Sequence, residues 1–298
     1  MLQNNHSIND AGHFTVSGMD TVTLAREFGT PLYIGYERTP HTERNNARWK
    51  TWHRRLTDRF VRGYLVNGQE TRRYLMSIGI RAEKIHCVGI SADSEGLKSS
   101  VEAFRKSRDY ATFRQQFHRA NGLMYLFSGQ IVERKGLKYL LAAWMEHRQK
   151  FPDDTLVVCG GGDQFDELNA QYGSVDGVFM LGRVPYDEIY RYYAAADVFV
   201  LPTLEDNWSL VVPEAMACGL PVATSIYNGC HVELIREGVN GFTFDTFRRD
   251  TIVDVLAKFH YADLAAMGEA SVSMEQPFDT QSCARRVFEC LTNSKPQQ

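Results

Sequence analysis

Neither sign of charge dominates this sequence: 36 acidic residues stand against 33 lysines and arginines, a formal net charge of −3. Without an overall basic field, nucleic acid is not an expected partner, and any basic site must be local. No apolar run approaches the roughly 18 residues of a membrane span. The opening MLQNNHSINDAGH lacks the basic and then apolar pattern of a secretory signal. The expectation is therefore a cytoplasmic protein, whose contact with a membrane, at its inner face, would be peripheral. The six cysteines, at 87, 159, 218, 230, 283 and 290, are scattered and form no C-x-x-C pair, which leaves reduced, mostly buried thiols rather than a zinc ribbon or a disulfide framework. Internal repeats and low-complexity tracts are absent too. With 44% hydrophobic and 23% charged residues, the composition is that of an ordinary globular chain, long enough for about two domains.

What the sequence does contain is alternation. Short apolar runs at Met124–Phe127, Leu156–Cys159, Val178–Leu181, Val198–Leu201, Val222–Thr224 and Phe242–Phe244 read as strands. Between them, Leu137–His147, Asp187–Ala195, Val211–Ala217 and His231–Arg236 carry helical periodicity, punctuated by Gly, Pro and Asp. Strands alternating with helices predict a doubly wound, Rossmann-like parallel sheet over residues 121–298, closed by a helix at Cys283–Leu291 and a fraying tail from Lys295. Upstream, a basic segment over Arg48–Arg62, a helix over Gln69–Ser77, a strand at Ile85–Val88 and a polar helical stretch from Gly96 to Ala120 make a smaller α/β part with a linker.

Chemistry concentrates where strands end, since open α/β sheets bind ligands beyond the carboxyl ends of their strands. After Val198–Leu201 comes PTLEDNWSLVVPEAMACGLPVATS, with Glu205 and Asp206 in the loop and Glu214 on the next helix. Carboxylates suit sugar and ribose because each can accept two hydroxyl hydrogen bonds; the same acids could instead only favour a helix N-terminus. The block FSGQIVERKGLKYLLAAW sets Gly129 and Gln130 behind a strand and Arg134, Lys135 and Gly136 before a helix, where a cation and helix amides can neutralise a diphosphate. A solvated basic turn would look similar. Gly160–Gly162 follows the strand LVVC, and Gly182-Arg183 follows the next strand at its Leu181 end; glycines after strands also serve plain tight turns. Cys230 and His231 are adjacent, but neighbours on a helix point apart and no oxyanion device accompanies them, so a catalytic dyad is not expected.

Together these motifs resemble the group-one glycosyltransferases. The frame of Pro202-Thr203, Asp206 and Glu214-Ala215-Met216-Ala217-Cys218-Gly219-Leu220-Pro221 is similar to that family's pair of acids separated by seven residues. The resemblance implies that Glu214 holds the nucleotide ribose and that the first acidic position, Asp206 or its neighbour Glu205, contacts the transferred sugar. It also implies that Lys135 meets the diphosphate, with Gln130 in place of the family's arginine and Arg134 beside it. Gly129, Gly161, Arg183, Asn207, Ser209, Leu210 and Gly229 join the donor site, Cys230 departing from glycine next to Gly229. The implied fold is the donor-binding half of a two-domain, GT-B type enzyme. The implied activity is transfer of a sugar, with retention, from a nucleoside diphosphate sugar to a glycan or lipid-linked acceptor, as in polysaccharide biosynthesis. No cofactor and no metal are implied, and oligomer formation is left open.

Ile34–Ile90 resembles the closing section of the family's acceptor domain, with Gly35–Thr39, the basic Arg48–Arg62 segment, Val66-Asn67-Gly68 and Tyr74-Leu75 as the matching features, so that residues 35–120 are expected to be a truncated acceptor part with its linker. Residues 1–34 differ: HFTVSGMDTVTLAREFGTPLYI, His13–Ile34, is similar to the opening of diaminopimelate decarboxylase. The lysine motif and barrel of that enzyme are missing, so no pyridoxal chemistry follows. A reduced acceptor part leaves a second functional reading open beside the enzyme, a non-catalytic module that binds nucleotide sugar.

Overall fold

A computed structural model describes residues 31–43 and 48–292. Most of the decarboxylase-like leader and the expected frayed tail lie outside the described residues. The chain forms two compact units, one made of the described residues up to Ile90 with those from Gln281 onward, the other Ser91–Thr280.

The smaller unit is built on a three-stranded parallel sheet, β1 (Tyr33–Tyr36), β2 (Gly63–Val66) and β3 (Ile85–Cys87), in the order β1-β2-β3. Parallel neighbours require crossovers, and the helices Arg48–Asp58 and Gln69–Ser77 supply them. Ile34, Tyr36, Tyr64, Val66, Tyr74, Leu75 and Ile85 make its core. A buried ion pair sits in that unit: Arg54 Nη2 donates to Glu43 Oε2 at 3.0 Å, and Nη1 donates to the Tyr74 hydroxyl at 2.6 Å. Both charged side chains are about 95% or more buried, which is tolerable only because each satisfies the other.

In the larger unit six parallel strands run in the order β6-β5-β4-β7-β8-β9. They are β4 (Met124–Ser128), β5 (Thr155–Cys159), β6 (Val178–Gly182), β7 (Val198–Leu201), β8 (Val222–Ser225) and β9 (Gly241–Phe244). Chain order therefore starts in the middle at β4, runs outward to β6, returns to β7 and runs outward the other way. The reversal creates a crevice between β4 and β7, where doubly wound sheets bind their ligands. Every residue of β4, β5, β7 and β8 is buried, as expected of strands with helices on both faces, and this is why they read as continuous apolar runs. Trp144, Tyr125, Phe127, Tyr193 and Phe199 are among the largest fully buried side chains of the unit. The doubly wound sheet expected over this region is present. Helices Ser94–Arg105 and Asp109–Gln115, expected as a bridge, belong to the larger unit, whereas the closing helix Thr280–Thr292, expected with the larger sheet, belongs from Gln281 onward to the smaller one.

No described helix is long and apolar enough to cross a membrane.

Candidate active site

At the carboxyl end of β4 the chain turns sharply, and the glycines there are set by contact as much as by conformation. A Cβ on Gly160 would lie 1.8 Å from the Gly129 carbonyl oxygen, and one on Gly162 would lie 2.2 Å from that of Ile131. Backbone hydrogen bonds zip these two turns together: Gly129 N–H to the Cys159 carbonyl and Ile131 N–H to that of Gly161, both at 3.0 Å. Gly161 is different. A Cβ there would meet nothing nearer than the Arg183 Cβ at 3.7 Å, so no packing demand accounts for glycine at that position.

Gly161 faces a cleft of about 730 Å³ lined by Ser128, Gly129, Gln130, Arg183, Tyr186 and Glu214 among others. That volume is in the range of small-molecule sites. Of the residues expected at the donor, Gly129, Gln130, Gly161, Arg183 and Glu214 thus meet at one cavity.

Glu214 sits in the first turn of helix Val211–Ala217. Its Oε2 accepts the Tyr193 hydroxyl at 3.3 Å, and Tyr193 is fully buried on helix Tyr190–Ala195. Burial pushes the Glu214 carboxyl up to about 7, assisted by the negative charge of Asp93 and opposed by the Tyr193 hydrogen bond. An acid with one weak internal partner, held at the edge of a cleft, is short of the hydrogen bonds that would favour its charged form.

The second cluster lies across the β4–β7 crevice. Gly136, at φ 68°, ends the 3-10 turn Glu133–Lys135 and opens helix Leu137–Lys150. A Cβ there would fall 2.0 Å from the Pro202 carbonyl oxygen. The loop after β7 closes onto this turn as the Thr203 hydroxyl and the Leu204 N–H both donate to the Arg134 carbonyl, at 2.9 and 2.8 Å. The result brings Lys135 Nζ within 2.5 Å of Asp206 Oδ2, with both side chains 11% exposed. Arg134 Nη1 lies 3.5 Å from the same oxygen and is itself 46% exposed.

Burial raises the Asp206 carboxyl, but the Lys135 charge and its hydrogen bond, with the Trp208 N–H bonded to Oδ1 at 3.1 Å, prevail and hold it below the usual carboxylate range. The two acids of the motif are therefore driven in opposite directions. Asp206, not Glu205, is the carboxylate joined to Lys135; Glu205 is half-buried, and its carbonyl accepts the Thr203 hydroxyl at 3.1 Å.

The loop after β8 supports Asp206 through its backbone. Asp206 N–H donates to the Tyr227 carbonyl at 3.2 Å, and Gly229 N–H donates to the Asp206 carbonyl at 2.9 Å. The N–H that a donor would use at Gly229 is thus engaged in holding Asp206. Ser209 is buried, its N–H directed to Asn228 Oδ1 at 3.4 Å. Asn207 is half-buried in the same turn, and Leu210, 42% exposed, caps the helix that carries Glu214. Cys230 is fully buried, donates to Asn228 Oδ1 at 3.2 Å, and burial drives its thiol far above the ordinary range. His231 Nδ1 is 2.7 Å from the Asn228 carbonyl. A nucleophilic dyad at these two residues is incompatible with that arrangement.

Sequence reasoning missed Tyr193, whose link to Glu214 spans 21 residues and two helices, and the cleft wall of Val184, Pro185, Tyr186 and Ile189. The aromatic run Tyr190–Tyr193 was a visible signal, though nothing in it singled out one ring.

Comparison with known proteins bears on the family and the fold. Residues 109–267 match the family model of the glycosyl transferases group 1. A GDP-mannose-dependent alpha-(1-6)-phosphatidylinositol monomannoside mannosyltransferase of Mycolicibacterium smegmatis is 30% identical over 199 residues, which cover 61% of this chain and 51% of that protein. A D-inositol 3-phosphate glycosyltransferase of Mycolicibacterium gilvum is 30% identical over 174 residues, 56% of this chain and 38% of that protein. The chain thus spans about half the length, or less, of these relatives. In fold, it matches a crystal structure of Anabaena Alr3699/HepE in complex with UDP, with a TM-score of 0.77 at 22% identity over 92% of this chain and 75% of that one.

Proposed function

The chain belongs to the group 1 glycosyl transferases, and from that premise we propose that it transfers a sugar from a nucleoside diphosphate sugar to a glycan or lipid-linked acceptor with retention. The observation that carries the reading is the pair of oppositely tuned acids at one strand crevice, Asp206 ionised against Lys135 and Glu214 held near neutrality beside the cleft. Two titratable groups pushed apart by their surroundings mark distinct roles. The names of the relatives support a nucleotide-sugar donor.

In this reading the nucleoside lies in the cleft against Gly161 and Arg183, and Glu214 accepts the two ribose hydroxyls. The diphosphate takes Lys135, with the N-terminus of helix Leu137–Lys150 adding its partial positive charge. Asp206, released from the lysine, accepts hydroxyls of the transferred sugar. The acceptor oxygen then bonds to the anomeric carbon on the face from which the phosphate departs. The anomeric carbon–oxygen bond breaks toward the phosphate, and the acceptor's proton passes to a phosphate oxygen. Lys135 stabilises the charge that develops on that leaving group.

A thermal-shift panel of UDP-, GDP- and ADP-sugars tests the donor assignment, because a ligand that binds only the folded state raises Tm. Donor turnover with and without crude acceptor then separates an enzyme from a binding module. Absence of a shift with all three classes overturns the reading.

A further inference from the structure

The amino edge of the same sheet carries a second group of ligating side chains, remote in sequence from the donor motifs. His147 ends the buried face of helix Leu137–Lys150, Asp154 immediately precedes β5, and His260 lies in the 3-10 turn Phe259–Tyr261. Their Nε2, Oδ2 and Nε2 atoms lie within 4.8 Å of one another, and among the described residues this is the one such grouping of His, Cys, Asp and Glu. Both imidazoles address the same oxygen: His147 Nε2 is 2.7 Å and His260 Nε2 2.8 Å from Asp154 Oδ2.

The other carboxylate oxygen is already spoken for. Asp154 Oδ1 accepts the Leu123 N–H at 2.8 Å, which fixes the plane of the carboxylate and aims Oδ2 at the two rings. Orientation of a ligand by a partner behind it is a regular feature of metal centres.

His147 is the expensive member. Its side chain is fully buried, with the rings of Trp144, Tyr125 and Phe151 at 5.1, 5.8 and 5.0 Å, and its Nδ1 has no hydrogen-bond partner. An apolar ring would fill that position without the unmet polar atom. That an imidazole is kept there points to a use of its other nitrogen, Nε2, which faces Asp154 Oδ2.

We propose that His147, Asp154 and His260 bind one divalent metal ion of the zinc class. Two imidazoles and one carboxylate are the ligand set that borderline cations such as zinc favour, and hard cations such as magnesium do not. Donors around a tetrahedral ion at about 2.0–2.2 Å stand somewhat further apart than hydrogen-bonded partners, so the group opens slightly on loading. His260 can give way: its side chain is 16% exposed, and it rides on Phe151 by flat stacking at 3.8 Å and 8°. The same exposure admits water as a fourth ligand. Since these residues lie at the amino ends of the strands and the donor cleft lies at the carboxyl ends, the ion ties helix, strand and turn together and takes no part in transfer.

The experiment uses the full chain, stripped with chelator and titrated with zinc chloride. We expect one ion bound per chain by metal analysis, and a Tm rise of roughly 5–10 °C at a hundredfold excess over Kd. Cobalt should give the intense visible bands of a tetrahedral site. His260→Ala, at the part-exposed position, should remain folded and lose all three responses, and His147→Ala should do the same where it folds. The Tm rise produced by nucleotide sugars should be unchanged in His260→Ala. A wild-type chain that takes up no metal, or a His260→Ala chain that takes it up equally, overturns the proposal. A group that changes Tm with pH but not with metal overturns it too.

Discussion

On the function proposed above, Glu214→Gln separates the burial of this carboxylate from its binding of the nucleotide ribose. In the donor-free protein its pKa stands at about 7 rather than 4.5, mainly through burial. At about 1.4 kcal/mol per tenfold in proton affinity, that difference is on the order of 3 kcal/mol. For an acid raised in the folded state, the native protein holds the extra proton between those two values. Stability contributed by Glu214 is therefore full below about 4.5 and lost as pH rises through about 7. Glutamine carries no such loss. At pH 8 the variant should be more stable than the parent by up to about 3 kcal/mol, or roughly 6–12 °C in Tm for a unit of this size, and at pH 4.5 the two should coincide. Donor binding should move the other way, weakening about 5- to 150-fold as a charged acceptor of two hydroxyl bonds is lost, about 1–3 kcal/mol. Because the bound form is the carboxylate, parent affinity should fall up to about tenfold per pH unit below about 7, and the variant's should not. Thermal melts at pH 4.5 and 8, with calorimetric titration of the nucleoside diphosphate at pH 6 and 8, measure all four quantities. A variant no more stable than the parent at pH 8, with the parent's affinity at both pH values, refutes the reasoning.

Lys135→Ala should lower kcat on the order of a hundredfold while KM changes little, since charge on the leaving phosphate develops mainly in the transition state; steady-state kinetics that move KM alone would make the lysine a uniform binder. Gly160→Ala, whose Cβ would meet a carbonyl oxygen at 1.8 Å, should unfold or strongly destabilise the larger unit, whereas Gly161→Ala, with its nearest contact at 3.7 Å, should leave urea stability within about 0.5 kcal/mol and lower only nucleotide affinity. Glu43→Ala should cost about 3–5 kcal/mol, because it leaves Arg54 buried without its carboxylate; an unchanged unfolding profile would mean that Arg54 finds solvent.

The larger unit was readable because its strands are buried on both faces and so write themselves as apolar runs. Val198–Leu201 and helix Val211–Ala217 fall where the pattern puts them, and the other expected strands differ by a residue or so at their ends. Helix Phe165–Tyr172 was missed because only Leu168 on it is buried, which leaves no periodic stripe. Helix Leu264–Glu275 packs through small residues such as Gly268 and Ser271, and these carry little hydrophobic signal. β1 (YIGY) and β2 (GYLV) each contain a glycine and at least one half-buried position, so neither is written as the continuous apolar run that marks the strands of the larger sheet. At the candidate site, motif spacing singled out both acids and the lysine. It could not say which of Glu205 and Asp206 meets Lys135, because that depends on how the Thr203 and Leu204 bonds to the Arg134 carbonyl set the loop. Nor could it see the His147–Asp154–His260 group, whose members are drawn together by strand and helix packing across 113 residues.

On the function proposed above, the Lys135–Asp206 pair places a condition on the donor. A diphosphate that takes Lys135 removes from Asp206 the charge that keeps its carboxyl ionised despite burial. It also sets a second anion beside that carboxylate. A complete donor offsets this by offering sugar hydroxyls to the freed oxygen, but a nucleoside diphosphate without the sugar cannot. Discrimination between donor and product then rests on Asp206, through repulsion of the one and hydrogen bonding to the other. Asp206→Asn removes the competitor for Lys135 and the repulsion together. The variant should therefore bind nucleoside diphosphate more tightly than the parent, by roughly 5- to 30-fold for about 1–2 kcal/mol of relieved charge interaction, and bind the intact nucleotide sugar less tightly relative to it, while transfer is lost. Calorimetric titration of both ligands into parent and variant gives the ratio directly. If asparagine weakens both ligands equally, Asp206 serves only to hold the loop, and the sugar is recognised elsewhere.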